Sequence, residues 1–191
     1  MAASPDYLVS KPGPPTVGVY SDSDKLTVNL LHGKNGTASF FVVRHTDYTT
    51  PAWTSYKLNL PTSKGNLTVP QVDGSLWLTG RDSKIHVVDY DVDGTNILYS
   101  TAEILTWKKF SKCKVLIVYG GFNETHEIAI NSGAEVEFIE GEQGVKTDII
   151  DGYFFANWET SASRRILKLG DLHIHILSKS LAALLLIGLF E

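Results

Sequence analysis

The chain has one cysteine, no long apolar run and no excess of positive charge, and each absence removes a class of protein. A lone cysteine, Cys113, excludes an internal disulfide and a multi-cysteine zinc site. The longest apolar run, residues 181–190, falls well short of the about 20 residues that span a bilayer. A formal net charge of −4 provides no general attraction to nucleic acid or to an anionic membrane.

Several sequence signals are also missing. The residues after Met1 contain neither the basic region nor the apolar region of a secretory signal peptide. Before residue 178 no amphipathic pattern extends over twelve or more residues, and there is no alternation of strands with helices. The nucleophile-elbow, Walker and HExxH motifs do not occur, so the common hydrolase, nucleotide and zinc-protease signatures are missing.

What the chain does contain is a series of short alternating segments separated by turn residues. With 191 residues, 43% of them hydrophobic and 20% charged, it has the composition of a globular protein. Many short strands at spacings of roughly 8–12 residues are typical of an antiparallel β-sandwich. The compact run 40–43 suits a strand buried on both faces. We therefore predict an all-β fold of antiparallel hairpins.

The segment 79–110 is the most informative part of the sequence. It reads as three alternating strands, and Asp93-Gly94 predicts a two-residue hairpin turn between the first two. The same acidic stretch, Asp89 to Gly94, matches the first half of an EF-hand calcium loop. Position twelve of that loop is Ser100 rather than glutamate, and the flanks read as strands. The hairpin is the interpretation that we favour.

The strings SFFVVRHTDY, SYKLNLPTSKGNLTVPQ, LIVYGGFNETHEIAI and RRILKLGDLHI, together with the segment 79–110, closely resemble the second domain of family 35 glycoside hydrolases. These are large secreted β-galactosidases of fungi and bacteria, and the fungal type is the better match. The resemblance implies antiparallel hairpins that merge into an immunoglobulin-like β-sandwich. It implies one domain over residues 7–177, with the immunoglobulin-like second half from about residue 112, and a divergent apolar tail over 178–191.

The resemblance also implies a role. In the family the partners of this domain are the catalytic (β/α)₈ barrel and further β-domains of the same chain, and galactosides bind through the barrel only. The expected function is structural or accessory, within an extracellular enzyme that hydrolyses terminal non-reducing β-D-galactosyl residues. A barrel needs about 250 residues, so we expect this chain to be a fragment without it. No cofactor is implied.

A retaining glycosidase needs two carboxylates about 5–5.5 Å apart on either side of the sugar. The best candidates here, Glu124 and Glu127, lie around His126 in a predicted turn. Glu135 and Glu137 read as a solvated strand face. We assign no catalytic residue, and we predict that the chain alone is inactive.

Other motifs have simpler interpretations than a functional site. His173 and His175 could share a metal ion, but they read as the polar side of a strand, so no metal site is assigned. Cys113 lies between two lysines, which would lower the pKa of an exposed thiol, although an incidental thiol is the simpler interpretation. The basic stretch 108–114 reads as an edge strand and turn, in which lysines oppose edge-to-edge pairing.

Three sequons make Asn35, Asn66 and Asn123 candidates for N-glycosylation, each in or beside a predicted turn. Trp77 is predicted to be exposed on its strand and available to a sugar or to another domain, whereas Trp107 and Trp158 are predicted core anchors. Surface tryptophans leave one alternative function open, a free-standing carbohydrate-binding β-sandwich.

The apolar tail has three interpretations. It could form a short buried helix capped by Ser178 or Ser180, or it could lie at a membrane surface or against a partner. The third interpretation, a splicing or gene-model artefact, is favoured because the tail departs from the family pattern at about Ser178.

Overall fold

The structure is a computed structural model that describes Tyr7 and residues 10–33 and 38–187. Over these residues the chain forms strands β1 to β17 and a helix, α1, that follows the last strand. The predicted all-β fold class is confirmed. Among the described residues, no helix is both long enough and apolar enough to cross a membrane.

A large sheet of eight strands, with order β1-β2-β3-β8-β9-β12-β15-β14, forms the centre of the fold. Each neighbouring pair in it is antiparallel. Its strands are β1 (Lys11–Val17), β2 (Leu26–His32), β3 (Ser39–His45), β8 (Ser83–Val92), β9 (Thr95–Ser100), β12 (Thr125–Asn131), β14 (Val145–Ile150) and β15 (Tyr153–Glu159). Strands from both halves of the chain therefore share one hydrogen-bonded sheet.

A second sheet of five strands, with order β10-β11-β17-β16-β13, packs against one face of the large sheet. Its strands are β10 (Glu103–Lys109), β11 (Lys114–Gly120), β13 (Val136–Glu140), β16 (Arg165–Leu169) and β17 (Leu172–Ser178). The pair β11–β17 is parallel, unlike the antiparallel pairing predicted from the sequence. The chain crosses to the large sheet and back twice between these two strands, and only such a crossover connection can join parallel neighbours.

Two small hairpin-like sheets cover the opposite face of the large sheet. One pairs β4 (Trp53–Tyr56) with β7 (Leu76–Thr79), and the other pairs β5 (Leu58–Thr62) with β6 (Gly65–Val69). Their inward residues, such as Tyr56, Leu60 and Leu78, pack into one core cluster with the large sheet. The large sheet is therefore the middle of three layers, and apolar side chains leave it on both faces.

Strand β3 shows why this region of the sequence is so uniformly apolar. Phe40 packs into the core on the side of the five-stranded sheet, whereas Phe41 and Val43 pack into the core on the other side. All three are fully buried. Successive side chains on a strand point to opposite faces, so a strand between two cores needs apolar residues at consecutive positions, as the sequence predicted.

The predicted turn between β8 and β9 is also confirmed. Val92 pairs with Thr95, which leaves Asp93 and Gly94 as a two-residue loop. Both have positive φ, 50° and 82°, the combination that a type I′ turn requires. Asp91 accepts a hydrogen bond from the backbone N–H of Gly94 at 3.0 Å, which supports the turn from the preceding strand.

Helix α1 (Lys179–Ile187) begins where β17 ends. The hydroxyl of Ser178 accepts a hydrogen bond from the backbone N–H of Leu181 at 3.3 Å, so the predicted cap at this residue is confirmed. Among the three interpretations of the tail, the buried helix is wrong for most of the described side chains. Ala182 is buried, but Leu184 and Leu185 are 64% and 42% exposed, because the helix rests on β17 and β11 along one side only.

Candidate functional site

Glu127 is a fully buried carboxylate on β12 that accepts four hydrogen bonds from neutral groups. The backbone N–H groups of Gln71 and Val72 donate at 2.6 and 2.8 Å. The hydroxyl of Tyr99 donates at 2.6 Å and the amide of Asn157 at 3.1 Å. These donors fill the acceptor positions of a carboxylate. Glu127 thereby fixes the segment after β6 onto the large sheet.

The contact with Glu127 also changes the pKa of the Tyr99 hydroxyl. Burial, followed by the neighbouring charge of Glu127, raises the pKa of Tyr99 far above its ordinary value. The phenol therefore stays protonated and keeps donating to the carboxylate at any physiological pH. The Asn157 amide also donates to the carbonyl oxygen of Asp73 at 3.0 Å, so the same pair of side chains holds both ends of the 71–73 segment.

Glu124 lies just before β12 and belongs to a second buried polar group. Nζ of Lys84 donates to its two oxygens at 2.7 and 2.9 Å, and both side chains are almost fully buried. The backbone N–H of Gly121 donates at 2.7 Å, and Nε2 of His126 lies 3.4 Å away. Burial alone would raise the pKa of Glu124, but the adjacent His126 and the hydrogen-bonded ammonium group of Lys84 lower it to about 2.

The charged group around Lys84 extends to the C-terminal helix. Asp82 lies 3.3 Å from Nζ of Lys84 and 3.1 Å from Nζ of Lys179 on α1. Burial raises the pKa of Glu103, whose carboxylate accepts from the backbone N–H of Ile85 at 3.3 Å. The cluster thus links β8, the turn before β12 and the first turn of the helix.

A buried histidine next to this cluster is neutral. Nδ1 of His86 lies 2.7 Å from the carbonyl oxygen of Thr101, so this nitrogen carries the proton. Nε2 then accepts from the hydroxyl of Tyr56 at 3.0 Å. Burial lowers the pKa of His86 to about 3. This pair joins the small β4–β7 sheet to the large sheet through a hydrogen bond between neutral groups.

These contacts determine what Glu124 and Glu127 can do chemically. Their exposed fractions are 4% and 0%, and the two donor sets share no residue. A glycosidase pair must contact the sugar from both sides, and groups enclosed in this way cannot reach a substrate. Glu127 is also a strand residue rather than the turn residue that the sequence suggested.

Sequence reasoning did not identify either network. The donors to Glu127 come from residues 28 to 56 positions away along the chain, and no local pattern marks such a pairing. The buried position of Lys84 was also missed.

The motifs considered for metal binding have other partners in the structure. Asp89 accepts from the backbone N–H and the hydroxyl of Ser63 at 2.8 and 2.5 Å, so it holds the turn between β5 and β6. His173 and His175 lie on the outer side of β17, half-buried, and burial lowers the pKa of His175. Within residues 10–33 and 38–187, no group of three or more acidic, histidine or cysteine side chains could hold a metal.

The basic stretch around residues 108–114 contains the edge strand β10 and the turn to β11. Lys108 and Lys109 are exposed at the end of β10, whereas Lys114 is buried and donates to the hydroxyl of Thr95 at 2.6 Å. Cys113 is half-buried in this turn, and its carbonyl accepts from the backbone N–H of Phe110. The stretch is part of a sheet edge, as the sequence indicated.

Trp77 is exposed on the small β4–β7 sheet, as predicted, at 38%. Its cross-strand partner is Ser55, and Trp53 lies two residues from Ser55 on the same face with 67% exposure. The two tryptophans are therefore diagonal neighbours across the strand pair. The sequence analysis did not associate Trp53 with this surface. Trp158 is buried and Trp107 half-buried, both within the predicted core.

Two of the three candidate glycosylation sites can be placed. Asn66 is exposed on β6, just after the hairpin turn from β5. Asn123 is exposed in the turn before β12, with a positive φ of 61°. Asn35 lies outside the described residues. Both described asparagines thus present their side-chain amides to solvent beside turns, where a glycan can be accommodated.

Comparison with known proteins identifies relatives of the whole chain. The family described as β-galactosidase, domain 2, matches residues 9–184. A probable β-galactosidase A from Neosartorya fischeri is 55% identical over 181 residues, and β-galactosidase A from Aspergillus niger is 52% identical over 180 residues. Each alignment covers 94% of this chain and 18% of the relative. The chain therefore spans less than one fifth of the length of the relatives that it matches.

The low pKa of Glu124 predicts a specific pH dependence of stability. A carboxyl group whose pKa falls from 4.5 to about 2 on folding stabilises the folded state above pH ~5 and loses that contribution as the pH falls toward 2. The expected loss is about 3 kcal/mol. Urea unfolding at several pH values should show this loss. Glu124→Gln should remove most of the dependence of the free energy of unfolding on pH, and it should lower that free energy at pH 7 by about 3 kcal/mol.

In the control, Glu135→Gln on the surface should change the free energy of unfolding at pH 7 by less than about 0.5 kcal/mol. If the free energy of unfolding of Glu124→Gln still fell with pH as in the parent, Glu124 would not be the source of the pH dependence.

Proposed function

Because the chain belongs to the β-galactosidase domain 2 family, we propose that it is a structural domain of a secreted β-galactosidase that hydrolyses terminal non-reducing β-D-galactosyl residues. The observation that carries the proposal is the coverage, 94% of this chain against 18% of each relative. Such coverage is expected when a chain corresponds to one domain of a longer polypeptide. Catalysis and galactoside binding are assigned to a barrel elsewhere in that polypeptide, where two carboxylates can flank a sugar.

The physical role of the domain is to provide a rigid body between the other domains. Its central sheet is covered on both faces, and the buried groups of Glu124 and Glu127 tie loops and helix α1 to that sheet. A body with few independently moving parts can hold the barrel and the later β-domains at fixed positions. We also propose that residues 7–177 are one domain with an immunoglobulin-like second half from about residue 112, and that 178–191 form a separate tail.

A domain exchange tests the structural role. In β-galactosidase A from Aspergillus niger, which is 52% identical to this chain, the matched segment is deleted in one variant and replaced by this chain in another. We expect the deletion to abolish soluble, active enzyme, and the exchange to restore it. A third variant, the exchange carrying Leu116→Asp in the buried core, should behave like the deletion because the inserted domain no longer folds. A deletion variant with normal activity and a Tm within about 5 °C of the parent would reject the role.

We propose that the face formed by Trp53 and Trp77 contacts another domain of the longer protein. Tryptophan is enriched at the centres of protein interfaces, and two exposed tryptophans side by side are uncommon on a free surface. Trp77→Ala should leave the Tm of the chain within about 2 °C, yet shorten the half-life of the exchanged enzyme at elevated temperature. Equal half-lives with and without the substitution would contradict a domain contact. A quench of tryptophan fluorescence by millimolar galactose, lost in Trp77→Ala, would instead favour the carbohydrate-binding alternative.

We propose an extracellular location and N-glycosylation at Asn66 and Asn123, with Asn35 as a third candidate. The exposure of the two described asparagines supports this proposal. When the chain is secreted from a fungal host behind an added signal peptide, enzymatic deglycosylation should lower its mass. Asn66→Gln and Asn123→Gln should each remove one glycan. A mass that does not change on deglycosylation would exclude occupancy at all three asparagines.

A further inference from the structure

The two main sheets differ in width, and the difference leaves part of the large sheet uncovered. Strand β13 is the last strand of the five-stranded sheet, while β14 is the last strand of the eight-stranded sheet. Ile149 on β14 pairs with Phe154 on β15, so its side chain leaves the sheet on the face that packs against the five-stranded sheet. It is nevertheless 62% exposed. An inward-facing isoleucine is thus left without cover among the described residues.

A groove of about 380 Å³ occupies this position. Its apolar lining comes from Ala134, Val136, Ile149 and Phe154, and thus from the edges of both sheets. Its charged lining residues are two acids, Glu135 and Asp148. The groove therefore has an apolar floor and an acidic rim.

Strand β13 borders this groove, and its charged residues, Glu137 and Glu140, pair with basic side chains on or beside β16. Three prolines in β1, exposed lysines at the end of β10, and Lys146 and Asp148 on β14 oppose pairing at the other edges. On β13, Val136 and Phe138 face the core, and Ile139 is 48% exposed. Among the described residues, nothing pairs with its outer edge.

Two observations indicate what covers this edge. More than four fifths of each relative lies outside the matched segment, so the longer polypeptide has ample chain to supply a strand. Helix α1, the last described element, borders the far end of β13, where Glu140 lines a second groove together with Leu181 and Leu184. Helix α1 therefore lies across a groove from the C-terminal end of β13.

We infer that an extended segment of the longer polypeptide pairs with β13 as a sixth strand and covers Ile149 and Phe154. This inference rests on the proposed function, because it requires the rest of the enzyme. Alternate side chains of the segment are apolar and fill the groove. Lysine or arginine side chains at its rim complement Glu135 and Asp148. Backbone hydrogen bonds to β13 supply the pairing, and the groove supplies the selectivity, as in other cases of strand addition.

Hydrogen exchange measured by mass spectrometry tests the inference in the isolated chain and in the active exchanged enzyme described above. We expect amides of residues 136–140 and 145–150 to exchange at least about tenfold more slowly in the exchanged enzyme. Equal exchange in an enzyme that is active would overturn the sixth strand while leaving the structural role intact. An exchanged enzyme that never assembles would instead overturn the structural role, and the inference with it.

A matched pair of variants separates the groove from general surface effects. Ile149→Asp should leave the Tm of the isolated chain unchanged, because the side chain is already exposed, but it should lower the Tm of the exchanged enzyme and abolish the added protection. Val19→Asp changes a similarly exposed residue outside this groove and should do neither. An equal effect of Ile149→Asp in both proteins would contradict the inference. Protection in the isolated chain that rises with its concentration would also contradict it, in favour of a second copy as the occupant.

Discussion

The burial of the eight-stranded sheet on both faces is the constraint on which the rest of the structure depends. A sheet between two apolar layers places its polar side chains out of reach of water, and a buried polar group without a partner is costly. Several polar residues on this sheet are therefore enclosed by specific partners, whereas the ring nitrogens of His126 and Nε1 of Trp158 have no hydrogen-bond partner among the described residues. Glu127 receives four neutral donors, Glu124 is paired with Lys84, and His86 stays neutral between Tyr56 and Thr101.

This constraint explains why the chain contains carboxylates at interior positions. An acid that acts on a substrate needs an open side and a pKa suited to proton transfer. Glu124 has its pKa lowered to about 2 by its partners, and the acceptor positions of Glu127 are filled by its donors. Both groups contribute to the rigidity of the domain, which is the property that the proposed structural role requires.

The sequence predicted the parts of the fold that depend on neighbouring residues. The apolar run at Phe40 indicated a strand between two cores, Asp93-Gly94 indicated a hairpin, and Ser178 indicated a helix cap. It could not predict the parts that depend on distant residues, such as the parallel pairing of β11 with β17 or the enclosure of Glu127. A buried helix, one of the three interpretations of the tail, failed because an apolar sequence does not specify the surface that will cover it. The same limit applies to the proposed partner of Trp77 and the proposed cover over Ile149.

The central claim, that the carboxylates of this chain are structural, is tested most directly by assaying the purified chain with nitrophenyl β-D-galactoside. We predict no release of nitrophenol above the rate of an enzyme-free blank over hours at any pH from 4 to 8. Turnover at ordinary enzymatic rates, of about 1 per second or more, that persists through purification and is lost in Glu124→Gln or Glu127→Gln would contradict the account.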